Sequence, residues 1–290
     1  MSKDSIHTFA IGDVHGRADL LEEMLLGIGQ KSVRERFAYR IVFLGDIIDR
    51  GPESCRALDL VVEILRELPG SKLIRGNHDW FPLRILENEG EFGEFAYGLH
   101  WQGDGGIETL RSYGYEDGEI TADLIRRTMG EEHLACLRQA EPFVELDHHI
   151  LVHAGLRPGV PLDRQDPHDL MWIRDEFLYQ DRSFGKIVVH GHAITSSEHV
   201  EILPNRIAID TGAYDTGVLS ALQITPSGDV EVLEAVASVI PGICGFRRGL
   251  PVRLKYGTAA VGETAEVPMN DLLRKGVALQ DSNAQRPTFP

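Results

Sequence analysis

Only three cysteines occur in 290 residues, Cys55, Cys136 and Cys244, and no two form a CxxC pair. Their odd number and wide spacing exclude a thiolate metal site and a disulfide framework, leaving buried thiols expected in a reducing compartment. Basic residues are also scarce: 29 Lys and Arg stand against 45 Asp and Glu, for a formal charge of −16. So acidic a surface repels nucleic acid and anionic lipid as bulk partners, while a local positive site can still hold a phosphorylated substrate. No apolar stretch is long enough to span a membrane. The first apolar run, "FAI", is too short for a signal peptide. A soluble, cytoplasmic chain without a membrane partner is the expectation. What the chain does have is apolar content: 42% of its residues are hydrophobic, enough to build a sizeable core.

Short β-branched or aromatic runs recur, among them "HTFAI", "YRIVFL", "SKLIR", "HHILVH", "KIVVH" and "RIAID". Most run directly into Gly, Asp, Asn or His, as strands do where they end in loops. Between the first three, Leu and Met at three and four spacing predict a helix over Ala18–Gly29. A second is expected between Pro52 and the Pro69-Gly70 breaker. Strand–helix alternation implies an α/β fold with a largely parallel sheet in the first third. "VLSALQITPSGDVEVLEAV" implies antiparallel strands later, and residues 81–142 read as helices and loops. One catalytic domain is expected over residues 1–235. Residues 236–290 would be an extension with a frayed polar end, whose basic "GFRRGLPVRLKYG" docks on the acidic body or on an acidic partner.

The chemistry-bearing residues sit at strand ends. After "FAI" comes Gly12-Asp13-Val14-His15-Gly16; after "IVFL" comes Gly45-Asp46-Ile47-Ile48-Asp49-Arg50-Gly51. "KLIR" runs into Gly76-Asn77-His78-Asp79, "ILV" into His153-Ala154-Gly155, and "IVVHG" into His192. Ligands gather at the carboxyl ends of strands in open α/β sheets, so all five clusters can converge. Their donors are oxygen and imidazole without sulfur, a set that suits Mn, Fe or Zn. Two metals sharing a bridging carboxylate could be held. A water shared by two such ions loses its proton near neutral pH and can attack phosphorus in line.

In order and spacing, "GDVHG", "GDIIDRG", "GNHD", "VHAG" and "HGHA" resemble the signature of the phosphoprotein phosphatases of the calcineurin-like metallophosphoesterase superfamily. "MWIRDEF" and "RIAIDTGAY" make the chain most similar to bacterial serine/threonine protein phosphatases. The resemblance implies mixed β-sheets packed as a central sandwich flanked by helices. It also implies two divalent metal ions, Mn²⁺ in the first place and Fe or Zn as alternatives. By resemblance, Asp13 and His15 would hold the first metal, Asp46 would bridge, and Asn77, His153 and His192 would complete the second. His78 would face the leaving oxygen with Asp49 orienting it, and Arg50, Arg174 and Asn77 would contact the phosphoryl group. His190 is placed as a support to a ligand, Tyr214 either over the pocket or packed locally. His7, His100, His133, His148, His149, His168 and His199 are read as solvated or packing residues.

The implied activity is hydrolysis of phosphoserine or phosphothreonine in proteins, with small phosphate esters also open. The second reading is a diadenosine-tetraphosphate hydrolase, similar in "GDVHG", "GNHD", "HAG" and "DTG". Those hydrolases commonly carry Ala where Asp49 stands here, which favours the first reading. A catalytically silent binding module is the reading of a different class.

Overall fold

The run "IHTFAI" forms strand β1 (Ile6–Ile11), and its alternation decides the layering of the whole molecule. A computed structural model of the chain describes residues 6–116, 118–237 and 244–252. Phe9 and Ile11 point to one face of β1 and join the larger apolar cluster; Ala10 points to the other and joins a second cluster. In strand β2 (Ala38–Phe43), Ile41 and Phe43 follow the first pair while Val42 follows Ala10. Both faces are therefore buried, which is why these strands read as continuous apolar runs rather than as alternating ones.

Strand β3 (Lys72–Leu73) continues the parallel set β1–β2–β3. Strands β9 (Val218–Ile224), β10 (Val230–Ala237) and β11 (Cys244–Val252) extend the sheet antiparallel, in the order β11-β10-β9-β1-β2-β3. A second sheet has the order β4-β5-β6-β8-β7. It is built from β4 (Phe143–Glu145), β5 (His149–Val152), β6 (Ile187–His190), β7 (Glu201–Ile202) and β8 (Arg206–Ala208). Its central strands β5, β6 and β8 are parallel. Leu151, Val189 and Ile207 meet Ala10, Val42 and Leu222 between the sheets, which fixes a two-sheet sandwich. Each such Leu or Ile removed from water contributes roughly 1.5–3 kcal/mol.

Helices cover the outer faces. Helix α1 (Ala18–Glu35) buries Leu20, Leu21, Met24 and Ile28, and α2 (Ser54–Glu67) buries Ala57, Leu58 and Val61, at the spacing the sequence predicts. Helices α3 (Asn77–Glu87), α4 (Phe92–Gly103), α5 (Gly106–Ser112) and α6 (Ala122–Arg138) fill the middle of the chain. Three short helices, α7 (Pro167–Trp172), α8 (Asp175–Leu178) and α9 (Ala213–Thr216), lie in later loops. Among the described residues no helix is long and apolar enough to cross a membrane.

The boundary expected at residue 235 falls inside β10, and the sheet runs on through β11 to Val252. Part of the supposed extension is thus an edge strand of the main sheet. Its Arg248 pairs with Glu231 at 2.8 Å and with Glu35 at 3.0 Å, so at this position the basic stretch meets the acidic body; its part beyond Val252 lies outside the described residues. The expected frayed end lies outside the described residues.

Candidate active site

Five strands of the two sheets deliver their carboxyl ends to one place, and the backbone there is contorted. Among the described residues, His15, Asp46, Asp49, Arg50 and His192 have φ between 44° and 76°, a left-handed region that non-glycine residues seldom adopt. Such strain persists only where the surroundings hold it, and it concentrates here. The segment from Asp13 to His15 is therefore a turn. Two glycines permit the close packing: a Cβ on Gly76 would collide with the Asp46 carboxylate, and one on Gly191 with Oδ1 of Asp13.

The side chains fall into two buried groupings, His15–Asp46–His78 and Asp46–His153–His192, with Asp46 common to both. His15 donates Nδ1–H to the Ile48 carbonyl at 2.9 Å, and His153 donates Nδ1–H to the Leu44 carbonyl at 2.9 Å. Each ring thereby turns its Nε2 lone pair inward, as metal-ligating histidines do. Nε2 of His153 then faces Oδ1 of Asn77 at 2.9 Å and Oδ2 of Asp46 at 3.5 Å. Nδ1 of His192 also lies 2.9 Å from that Asn77 oxygen. Asp13 accepts the His192 N–H through Oδ2 at 3.0 Å and lies beside Asp210, while Nε2 of His192 is buried with no hydrogen-bond partner among the described residues.

Electrostatics sharpen this. Burial pushes the His15 imidazole down to about 3 and His192 to about 2, and lowers His153. Burial alone would raise Asp46, but His153, His78, His15 and His192 together hold it below the usual carboxylate range. Neutral imidazoles with inward lone pairs thus surround an ionised carboxylate and an amide oxygen. Acceptors facing one another at 2.9 Å need a cation between them, so the residues present fit a divalent metal with O and N preference. Asp13 lies outside both groupings. Its carboxyl is raised well above normal by burial and by the neighbouring Asp210 and Asp46.

Asp49 forms a second centre. Oδ2 accepts Nδ1–H of His78 at 2.8 Å, Trp101 donates Nε1–H at 2.8 and 2.9 Å, and Thr109 donates its hydroxyl at 2.6 Å. Burial pulls the His78 imidazole down, but Asp46 and Asp49 outweigh it and leave it raised. Arg50 is exposed and donates to Nε2 of both His15 and His78 at 2.9 Å, with its guanidinium 4.8 Å from the Tyr214 ring centre. The Nε2 of His15 can serve Arg50 or a metal, but not both at once. Arg174 is exposed beside the cluster, and its charge helps depress His153 and His192.

All the residues singled out in the sequence, Asp13, His15, Asp46, Asp49, Arg50, Asn77, His78, His153, Arg174 and His192, contact or act on one another here. His190 does not join the groupings: it bonds the Gly191 carbonyl at 3.0 Å and stands edge-on to Phe177. Tyr214 lies at the site, with its ring edge-on to His15 at 5.4 Å. Sequence reasoning missed Trp101 and Thr109, and gave Asp79 and Asp210 no role although both stand in the motifs it quoted. Asp79 accepts the Ile47 N–H at 2.9 Å and so fixes the loop that carries Asp46; burial and then Asp46 push its carboxyl up to about 7. Asp210 follows strand β8, so the strand-end rule could have found it; burial pushes it up to about 6.

The chain is similar to several known proteins. A bis(5'-nucleosyl)-tetraphosphatase (symmetrical) of Nitrosomonas europaea is 26% identical over 157 residues, covering 54% of this chain and 47% of that protein. An asymmetrical bis(5'-nucleosyl)-tetraphosphatase of Oceanobacillus iheyensis is 40% identical over 72 residues, covering 23% of this chain and 28% of that protein. The matched stretches thus span less than half of either relative. A solved structure provisionally described as a diadenosine tetraphosphatase superposes with a TM-score of 0.53 at 18% identity, covering 86% of this chain and 96% of that one, a likeness of fold. The pattern of the calcineurin-like phosphoesterase family matches residues 6–214, and the chain belongs to that family.

Proposed function

We propose that this phosphoesterase hydrolyses dinucleoside polyphosphates such as diadenosine tetraphosphate, using two divalent metals of which Mn²⁺ is the first candidate. The observation that carries the metal-dependent reading is the pair of buried donor groupings sharing Asp46, with lone pairs turned inward. The substrate is supported by the tetraphosphatase relatives. In this reading Asp46, common to both groupings, would contact both ions, and Asp13, His15, Asn77, His153 and His192 would supply their other ligands. Bound there, the ions supply Lewis-acid polarisation and a water of lowered pKa. Arg50 and Arg174 neutralise the phosphoryl oxygens and hold phosphorus in line for attack. Asp49 keeps Nδ1 of His78 protonated, so Nε2 faces the departing oxygen once Arg50 moves from it to the phosphate.

One observation favours the other reading, hydrolysis of phosphoserine or phosphothreonine in proteins. A phosphate leaves with a pKa near about 6 and needs little help. An alkoxide approaches the basicity of hydroxide, about 16 for its conjugate acid, and needs a proton donor. The buried His78–Asp49 pair would be such a donor once Arg50 leaves Nε2 and that nitrogen takes up a proton. The test assays Mn²⁺-loaded protein on diadenosine tetraphosphate, a phosphoserine peptide and p-nitrophenyl phosphate. Preference for the dinucleotide is expected; preference for the peptide moves the assignment to the protein phosphatase, and hydrolysis of none leaves a silent binding module.

A further inference from the structure

Beside the donor cluster lies a cavity of about 410 Å³ walled by Arg157, His168, Trp172, Arg174, Asp175 and Glu176. That volume is in the range of small-molecule sites, ~300–1,000 Å³. Trp172 joins it to the donors: its ring stands edge-on to His192 with centroids 6.2 Å apart. His168 lies nearly parallel to Trp172, with 17° between the rings and 6.0 Å between centroids, and is exposed to solvent. The two are four residues apart on α7, so one helical face presents both.

The charges in this cavity are sorted. Arg157 is held by Asp169 through two bonds, at 2.5 and 2.7 Å, so that its guanidinium is a fixed and neutralised wall. The Arg174 side chain has no hydrogen bond or ion pair among the described residues, yet its charge reaches His153 and His192. A free guanidinium that both lines the cavity and acts on the donors suits a phosphate spanning the two. Asp175 and Glu176 add acceptors suited to an exocyclic amine and unsuited to further phosphates. Tyr214, another aromatic at the site, already has Arg50 over its ring.

Building on the dinucleotide reading, we infer that His168 and Trp172 form the nucleobase subsite. One base of the substrate extends their stack on the exposed face of His168, and Arg174 takes the adjoining phosphate. Stacking of this kind tolerates different bases, because every base has a π-face.

The test uses the Mn²⁺-loaded full chain and p-nitrophenyl phosphate, with ADP and inorganic pyrophosphate as competing inhibitors. ADP is expected to inhibit about 5- to 150-fold more tightly than pyrophosphate, the gain from one stacked base. His168→Ala and Trp172→Leu should each collapse that ratio toward one, and Trp172→Phe should keep most of it. Trp172 also packs edge-on against Phe81 at 6.1 Å, so His168→Ala, at an exposed position, is the variant free of folding effects. Equal inhibition by ADP and pyrophosphate in the wild type, or a ratio unmoved in His168→Ala, overturns the subsite. Hydrolysis of a phosphopeptide but not of diadenosine tetraphosphate would sink the dinucleotide reading instead, while the inhibition ratio still decides the subsite.

Discussion

Asp49→Asn separates the proton-donor role from the metal site and weighs the two substrate readings. Asp49 is fully buried, and its two oxygens accept from Trp101, Thr109 and His78. The amide keeps the volume but offers only one acceptor oxygen, so at least one buried donor faces an NH₂ group. That costs about 1–3 kcal/mol of stability, read as a lower urea midpoint. The variant also removes the charge that helps keep the His78 imidazole raised. On an alkyl phosphomonoester, where the leaving oxygen must be protonated, kcat should fall about 10²–10⁴-fold. On diadenosine tetraphosphate, whose leaving group is a phosphate, the fall should be smaller by at least tenfold. Metal content should stay at the wild-type level, since Asp49 belongs to neither donor grouping. Equal losses on the two substrates, or full activity on the alkyl ester, would refute the assignment of His78 and Asp49.

Gly191→Ala places a methyl group against Oδ1 of Asp13 and should cost about 1–3 kcal/mol of stability, together with metal occupancy measured by elemental analysis. Chelation should abolish phosphate binding as well as turnover, because without the ions Arg50 and Arg174 are offset by the carboxylates around them; calorimetry showing tight phosphate binding to stripped protein would contradict this. Stability should also fall in acid on account of His149, which lies at the start of β5 away from the donors and is pushed down to about 4, by burial first and then by His148. The folded state there binds fewer protons than the unfolded chain, whose histidine titrates near about 6.5. This contribution is therefore complete above that pH and lost as pH falls toward 4, about 3 kcal/mol in all. Urea midpoints from pH 7 to pH 4 should drop less steeply in His149→Gln than in the wild type.

Much of the site was legible because its donors follow apolar strands directly, so chain order carried their spatial convergence. Asp13, Asp46, Asn77, His153 and His192 each sit one to four residues past a strand. Trp101 and Thr109 were not legible: they reach Asp49 across 52 and 60 residues, from helices whose packing no local pattern announces. Tyr214 became informative only when Arg50 was found over its ring. The helices α1 and α2 were readable from apolar spacing, whereas β11 was hidden because "CGFRRGLPV" mixes glycine, proline and arginine and earns its place by pairing with β10. Edge strands tolerate such residues because one side of their backbone is left unpaired. The left-handed backbone at His15, Asp46 and His192 likewise depends on the assembled site and has no sequence signal of its own.

Metal stoichiometry of the purified, Mn²⁺-loaded protein, compared with that of Asp46→Asn, decides whether this site holds two ions. Asp46 is the one side chain common to both donor groupings, so its loss should reach both ions. Two bound ions per chain are expected in the wild type, and a clear loss of both in the variant. Two ions retained by Asp46→Asn, or none bound by the wild type, would contradict this.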